Sequence, residues 1–151
     1  MGGRWQRRCD GREDGRRDGA GSEALLLGRQ TYENFYAYWP RQTDNPYTDR
    51  VNTTTKYVAS RTLTRPLPWS NSILLDGDAA ESVAQLKRGP TGDLTIMGSG
   101  ELIRSLMVAD LIDEHLLMIH PIVLGTGRRP FAEGTHMSLH SSTPSPRPRV
   151  W

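Results

Sequence analysis

Between residues 24 and 125 apolar positions fall in short blocks separated by glycine, proline and polar turns, and their spacing changes from block to block. Ala24-Leu25-Leu26-Leu27 is a continuous apolar run closed by Gly28, the pattern of a strand buried on both faces of a parallel sheet. From Arg29 to Trp39 the period lengthens. Tyr32, Phe35, Tyr36 and Trp39 stand at i, i+3, i+4 and i+7, which predicts a helix ended by Pro40. Aromatics at that spacing mark the core side of a helix rather than a cofactor box. Arg41 to Thr55 is polar, carries Asn45-Pro46 as a turn signal and reads as a loop. Lys56 to Ser60 predicts a second strand, and the prolines at Pro66 and Pro68 exclude regular structure until a third, Ser72 to Leu75.

Asp78-Ala79-Ala80-Glu81 has the form of a capping box, in which the Asp78 carboxylate accepts from the Glu81 N–H and Glu81 reaches back. The helix it opens continues through Val83 and Leu86, carries Lys87 and Arg88 in its last turn and stops at Gly89-Pro90. Leu94 to Met97 is a further strand. After Gly98-Ser99-Gly100, the residues Leu102, Ile103, Leu106 and Met107 form the apolar stripe of another helix. Leu111 through Leu124 contains a longer strand, LLMIHPIVLG, which Pro121 should bulge or confine to a sheet edge because proline removes a ladder donor. Strands and helices thus alternate from Ala24 to Gly125. That predicts an α/β layered domain with a mostly parallel sheet and right-handed crossovers.

The ends differ. Residues 1–23 are dense in Arg, Gly and Asp without apolar periodicity and read as a disordered leader; residues 135–151, rich in Ser, Pro and Arg, read as a flexible tail. An arginine-rich arm could touch nucleic acid, but Asp10, Asp14 and Asp18 interleave with the arginines and leave little net field. The formal charge of the whole chain is only +2, so nucleic acid is not the expected partner. A single cysteine, Cys9, excludes an intramolecular disulfide and a cysteine zinc cage, which suits a reducing cytoplasm. No apolar run approaches the roughly 20 residues of a membrane span, and no apolar h-region marks a secretory signal. His136 and His140 have helical ligand spacing but lie among prolines without a third ligand, and His115 and His120 fall in the last predicted strand. No metal site is expected.

Candidate chemistry concentrates at the turn Met97-Gly98-Ser99-Gly100-Glu101. A strand, a tight glycine turn and a helix start make a phosphate-binding geometry, because the first N–H groups of a helix lack internal partners and its dipole favours an anion there. Glycine is also common in such turns for packing alone.

The segment Leu25–Glu33, LLLGRQTYE, resembles the dihydrofolate-reductase-like superfamily, in which a strand ends in Gly-Arg-x-Thr and opens a helix. Three further blocks resemble it in the same order: the strand ending at Ser60-Arg61, the Met97–Glu101 turn, and the helix exit Ala109-Asp110-Leu111-Ile112-Asp113-Glu114. Pro121-Ile122-Val123-Leu124-Gly125-Thr126-Gly127 through Phe131 and Gly134 looks like the branch that includes the C-terminal reductase domain of riboflavin biosynthesis. The likeness covers residues 24–134. It implies a three-layer α/β/α fold with a mostly parallel central sheet, here lacking the usual first strand and the closing C-terminal hairpin. It implies an NADPH-dependent reductase acting on a pterin- or pyrimidine-like small molecule by hydride transfer, in a cytoplasmic protein that is often a homodimer.

On the matched positions, the resemblance assigns Gly28 to close approach of a phosphate or ribose, Arg29 to a phosphate oxygen pair and Thr31 to a hydroxyl contact. It gives Ser60 and Arg61 the 2′-phosphate, and Gly98, Ser99, Gly100 and the Glu101 N–H the pyrophosphate. It names no proton donor, since Asp44 and Asp49 lie in an unmatched loop. There are departures. The arginine-rich leader stands where the superfamily has an apolar strand and a Ser-Leu-Asp-Gly-like segment. Met97-Gly98-Ser99 replaces a common Glu-Gly-Gly, and the tail lacks the closing strands. They fit a truncated or frame-shifted member with an intact middle. The alternative is a catalytically silent NADPH- or nucleotide-binding protein that retains the fold.

Overall fold

The computed structural model describes residues 24–43, 46–89, 92–118, 120–131, 134, 136 and 138–140. The leader over 1–23, with Cys9, lies outside the described residues, as do Asp44 and most of the expected tail. Four strands form one sheet: β1 (Ala24–Gly28), β2 (Thr55–Ala59), β3 (Ser72–Leu74) and β4 (Leu94–Ile96), in the order β3-β2-β1-β4. Every pairing is parallel, with Ala24 opposite both Thr55 and Leu94, Leu26 opposite Ile96, and Val58 opposite Leu74. Four α-helices connect them: α1 (Arg29–Tyr38), α2 (Pro46–Thr53), α3 (Ala79–Arg88) and α4 (Gly100–Val108).

The apolar run of β1 is explained by cover on both sides. Leu25 and Leu27 face one layer with Tyr32 of α1, Val58 and Trp69, while Leu26 faces the other with Val83 of α3 and Leu102 and Leu106 of α4. Each fully buried leucine of this kind contributes about 1.5–3 kcal/mol through lost apolar hydration. The route from β1 through α1 to β2 and the route from β3 through α3 to β4 cross the sheet in opposite directions. Right-handed crossovers therefore need helices on opposite faces, which is where α1 and α3 pack.

Local signals hold where they were strongest. Asp78 caps α3, its Oδ1 accepting from the N–H groups of Ala80 at 2.9 Å and Glu81 at 3.2 Å; Glu81 makes no return bond among the described residues. The aromatic stripe of α1 is core on its inner side. Tyr32 is 2% exposed and its hydroxyl accepts from the Trp69 N–H at 3.1 Å, whereas Tyr36 is 38% exposed at the rim. Past Tyr38 the chain tightens into a 3-10 turn, Trp39–Arg41.

Two expectations are corrected. The polar stretch Arg41–Thr55 contains α2 rather than only loop. Pro46 is its first residue, where a fixed φ and a missing N–H suit a helix start, and Asp49 sits in the first turn. The helix is held by tertiary caps that spacing does not reveal. Lys56, fully buried on β2, donates its three ammonium hydrogens to the carbonyls of Thr54 (2.7 Å), Val51 (2.9 Å) and Asn52 (3.0 Å), and its Nζ lies 4.4 Å from the centre of the Trp69 ring. The second correction concerns LLMIHPIVLG. The described residues from Leu111 to Leu124 form no strand, and Leu116, Ile122, Val123 and Leu124 are 64–94% exposed. A strand needs a hydrogen-bonded neighbour. Among the described residues this run pairs with no strand, although the outer edge of β4 is open, and Pro121 lacks a ladder donor.

Burial lowers the Lys56 amine from 10.5 to about 8. The folded protein then releases a proton near pH 8 that the unfolded chain retains until about pH 10.5. We expect Lys56→Met, which removes a donor from three carbonyls and leaves only that of Asn52 a second, long contact from Asn71, to cost about 2–3 kcal/mol at pH 7. In urea denaturation, the native protein's stability relative to this variant should rise as pH goes from about 8 to about 10.5 and be flat below pH 7. A flat difference across that window would contradict the assignment.

Candidate cofactor-binding site

The carboxyl ends of β1 and β4 lie side by side, and each passes directly into a helix. Gly28 precedes α1, and Met97-Gly98-Ser99 precedes α4. Since α1 packs on one face of the sheet and α4 on the other, the chain parts in two directions here. This is the topological switch point at which open α/β sheets bind ligands. Two helix N-termini converge on it, and neither has a side-chain cap. Their first N–H groups and the positive ends of their dipoles are free to meet an anion.

The joint between the two turns is built from Thr31 and Ser99. The Ser99 N–H donates to Thr31 Oγ1 at 3.1 Å, the Ser99 hydroxyl lies 3.0 Å from the same oxygen, and the Gly28 N–H donates to Ser99 Oγ at 2.9 Å. Gly98 and Ser99 both have positive φ, 60° and 56°. At Gly98 a Cβ would sit 3.4 Å from Thr31 Oγ1, and at Gly28 one would sit 3.5 Å from Ser99. Both are ordinary contact distances, so what favours glycine at Gly98 is its positive φ rather than lack of space. Gly100 is different: it is exposed, and nothing stands within 4 Å of where its Cβ would lie.

The side-chain charges are arranged around this joint. Arg29, first residue of α1, is half exposed and lies 3.5 Å from Glu33 in an i,i+4 pair, a weak surface contact from which it can turn to an anion. Arg61 is exposed and has no hydrogen-bond or ion-pair partner among the described residues. Ser60 sits at the end of β2, but its Oγ accepts from the N–H groups of Thr62 at 3.1 Å and Leu63 at 3.0 Å and shapes that turn. Glu101 in the first turn of α4 pairs with Arg104 at 2.5 Å, which offsets a carboxylate beside an anion site. Arg104 also donates to the Arg129 carbonyl at 2.6 Å.

The expected residues thus fall into groups. Gly28, Arg29, Thr31, Gly98, Ser99, Gly100 and Glu101 come together at the β1/β4 switch point, while Ser60 and Arg61 follow the end of neighbouring β2. The Ser99 N–H and hydroxyl are turned toward Thr31 rather than outward, which a linear motif could not reveal. Arg104 escaped sequence reasoning, though its i,i+3 spacing from Glu101 was a usable sign. Asp49 is exposed on α2, and His115 packs edge-on against Phe131 with ring centres 5.9 Å apart. Two open grooves of about 400 and 540 Å³ lie elsewhere, between α3 and the end of α4 and beside β3. No described helix is long and apolar enough to cross a membrane.

A parallel α/β sheet with two helix N-termini at its switch point is a framework on which ligands bind beyond the carboxyl ends of the strands. The chain belongs to the RibD C-terminal domain family, whose model matches residues 3–146, and its fold is of the dihydrofolate-reductase-like type. It is 32% identical over 116 residues to the uncharacterized protein YyaP of Bacillus subtilis (strain 168), covering 74% of this chain and 60% of that protein. It is 31% identical over 114 residues to YwjB of the same organism, also uncharacterized, covering 76% and 61%. A solved structure from Shewanella sp. PV-4, named as a candidate riboflavin biosynthesis protein, superposes with a TM-score of 0.61 at 27% identity, over 82% of this chain and 67% of that one. The chain spans about 60% of the length of the two Bacillus relatives.

We expect Gly98→Ala to destabilise the protein by about 1–2 kcal/mol, since it places a Cβ at positive φ against the Thr31 hydroxyl. Gly100→Ala should change the melting temperature little. Thermal melts of the two variants side by side check the contrast; equal losses would remove the distinction between the glycines.

Proposed function

We propose that the protein binds NADPH at the β1/β4 switch point and is a reductase of the RibD C-terminal type, acting on a pterin- or pyrimidine-like small molecule. The observation that carries this is the pair of uncapped helix N-termini meeting at one point of the sheet, with two exposed arginines beside them. The donor set fits the group. The N–H groups opening α1 and α4, with open space before Gly100, suit a pyrophosphate, which offers only acceptors. Arg29 supplies a planar fork for a phosphate, and Arg61, past the end of the adjacent strand, suits the 2′-phosphate that separates NADPH from NADH. Ser60 supports this second site by shaping the turn that carries Arg61.

Bound NADPH would supply a hydride, and the chain's part is placement and charge. No proton donor is assigned. Two carboxylates in the helices that start at the switch point, Glu33 and Glu101, each lie in an ion pair with an arginine, weak for Glu33. That arrangement favours a second reading, in which the protein binds the cofactor without turnover. A homodimer belongs to the same proposal, supported by the outer edge of β4, which has no neighbouring strand among the described residues.

Fluorescence titration of the full chain with NADPH and NADH tests the site. Arg61→Ala should weaken NADPH about tenfold and leave NADH unchanged, while Arg29→Ala should weaken both. NADPH binding that neither substitution alters would sink the site. Following cofactor oxidation with pterin and pyrimidine substrates then separates the reductase from the silent binder.

A further inference from the structure

Ser99 stands in an unusual place for a helix-capping serine. A serine at an N-cap ordinarily has extended backbone and accepts from the first turn of its own helix. Here the backbone is left-handed, φ 56° and ψ 44°, and the side chain makes no cap bond to α4. It points back across the switch point to α1, where its hydroxyl lies 3.0 Å from Thr31 Oγ1 and 3.2 Å from the Met97 carbonyl. It also accepts from the Gly28 N–H at 2.9 Å.

A hydroxyl has one hydrogen and two lone pairs, so these contacts define two arrangements. In the first, Ser99 donates to the Met97 carbonyl, and Thr31 is free to give its proton to Ser99 Oγ. In the second, Ser99 donates to Thr31. Thr31 Oγ1 then accepts from both the Ser99 hydroxyl and the Ser99 N–H, its lone pairs are filled, and its only remaining capacity is to donate. No protein acceptor for that proton is present among the described residues. A phosphate oxygen, an acceptor without a proton to offer at neutral pH, matches the second arrangement and clashes with a hydroxyl that presents lone pairs.

We propose that Ser99 is a positioning residue: its hydroxyl sets the direction of the Thr31 proton, so that Thr31 becomes an obligate donor to the cofactor's pyrophosphate. This role rests on the NADPH reading above. It moves Ser99 from direct ligand contact to action through Thr31, and it gives the left-handed backbone a purpose. In that conformation the Ser99 N–H and Oγ both turn onto one oxygen of the neighbouring helix.

The test is NADPH titration of the full chain, with a melting temperature for each variant. Ser99→Ala removes the hydroxyl, and Ser99→Gly removes it while relieving a positive-φ side chain, so the turn stays foldable. Both should bind NADPH about five- to tenfold more weakly, the loss of one hydrogen bond's worth of affinity. Thr31→Val should lose as much, Thr31→Ser should keep wild-type affinity, and Ser99→Ala/Thr31→Val should lose no more than Thr31→Val alone. A purely structural tie would lower the melting temperature of Ser99→Ala and leave affinity unchanged. That result overturns the role, as would additive losses in the double variant. Tighter binding by Ser99→Gly also overturns it, because the hydroxyl would then compete with phosphate for the Gly28 N–H and Thr31. Failure of the wild-type chain to bind NADPH at millimolar concentration overturns the cofactor reading and this role with it.

Discussion

Burial of β1 on both faces is the constraint from which the rest of the domain follows. Leu26 and Leu27 are each fully buried, yet they point to opposite layers. A strand in that position cannot leave either side to water, and parallel neighbours cannot be joined by hairpins. The connections must therefore be crossovers, and covering both faces requires them to leave in opposite directions. Their point of divergence, between β1 and β4, is where two helices begin on opposite sides of adjacent strands. The candidate site is in this sense a geometrical by-product of burying four consecutive apolar residues.

What could be read from the chain alone divides along the same line. Elements that announce themselves through local chemistry were legible: α3 through the Asp78 cap and the Lys87-Arg88-Gly89 exit, α1 through its aromatic period, and β1 through its unbroken apolar run. Elements whose stability comes from elsewhere in the chain were not. α2 buries Thr48 and turns the partly buried Val51 and Asn52 inward, Asn52 accepting from the Trp69 indole N–H, and its last carbonyls are satisfied by Lys56 of the following strand. A pattern of apolar residues cannot show a helix capped by a buried lysine. The run His115–Leu124 shows the opposite failure. Its composition suits a strand, but composition does not provide a neighbour, and without one the described residues there stay irregular and exposed.

Which residues meet at the β1/β4 switch point was largely legible by position, and which contacts they make there was not. Gly28-Arg29-x-Thr31 and Gly98-Ser99-Gly100 could be matched by position, since glycine at a strand end before a helix has few meanings. Which glycine faces a neighbouring turn and which faces open space is a question of three-dimensional contact. Gly98 faces Thr31, Gly28 faces Ser99, and Gly100 faces open space. The same holds for donors. A motif counts the Ser99 N–H among groups available to phosphate, whereas the fold directs it to Thr31.

The donors proposed to meet the cofactor's phosphates are of two kinds with different physical behaviour. The N–H groups at the starts of α1 and α4 are fixed by the helices, so meeting a phosphate costs them little further ordering, and each helix end carries a partial charge of about +0.5. The arginines are long, exposed and flexible. Arg29 must also leave Glu33, and both must surrender side-chain freedom to hold one geometry. Backbone donors should therefore anchor whatever pyrophosphate-bearing ligand arrives, while the arginines weigh the charge at its periphery. On the proposed NADPH reading, affinity for the shared part of the dinucleotide and discrimination between its phosphorylated and unphosphorylated forms would reside in different residues. A substitution at the end of β2 can alter the second without disturbing the first.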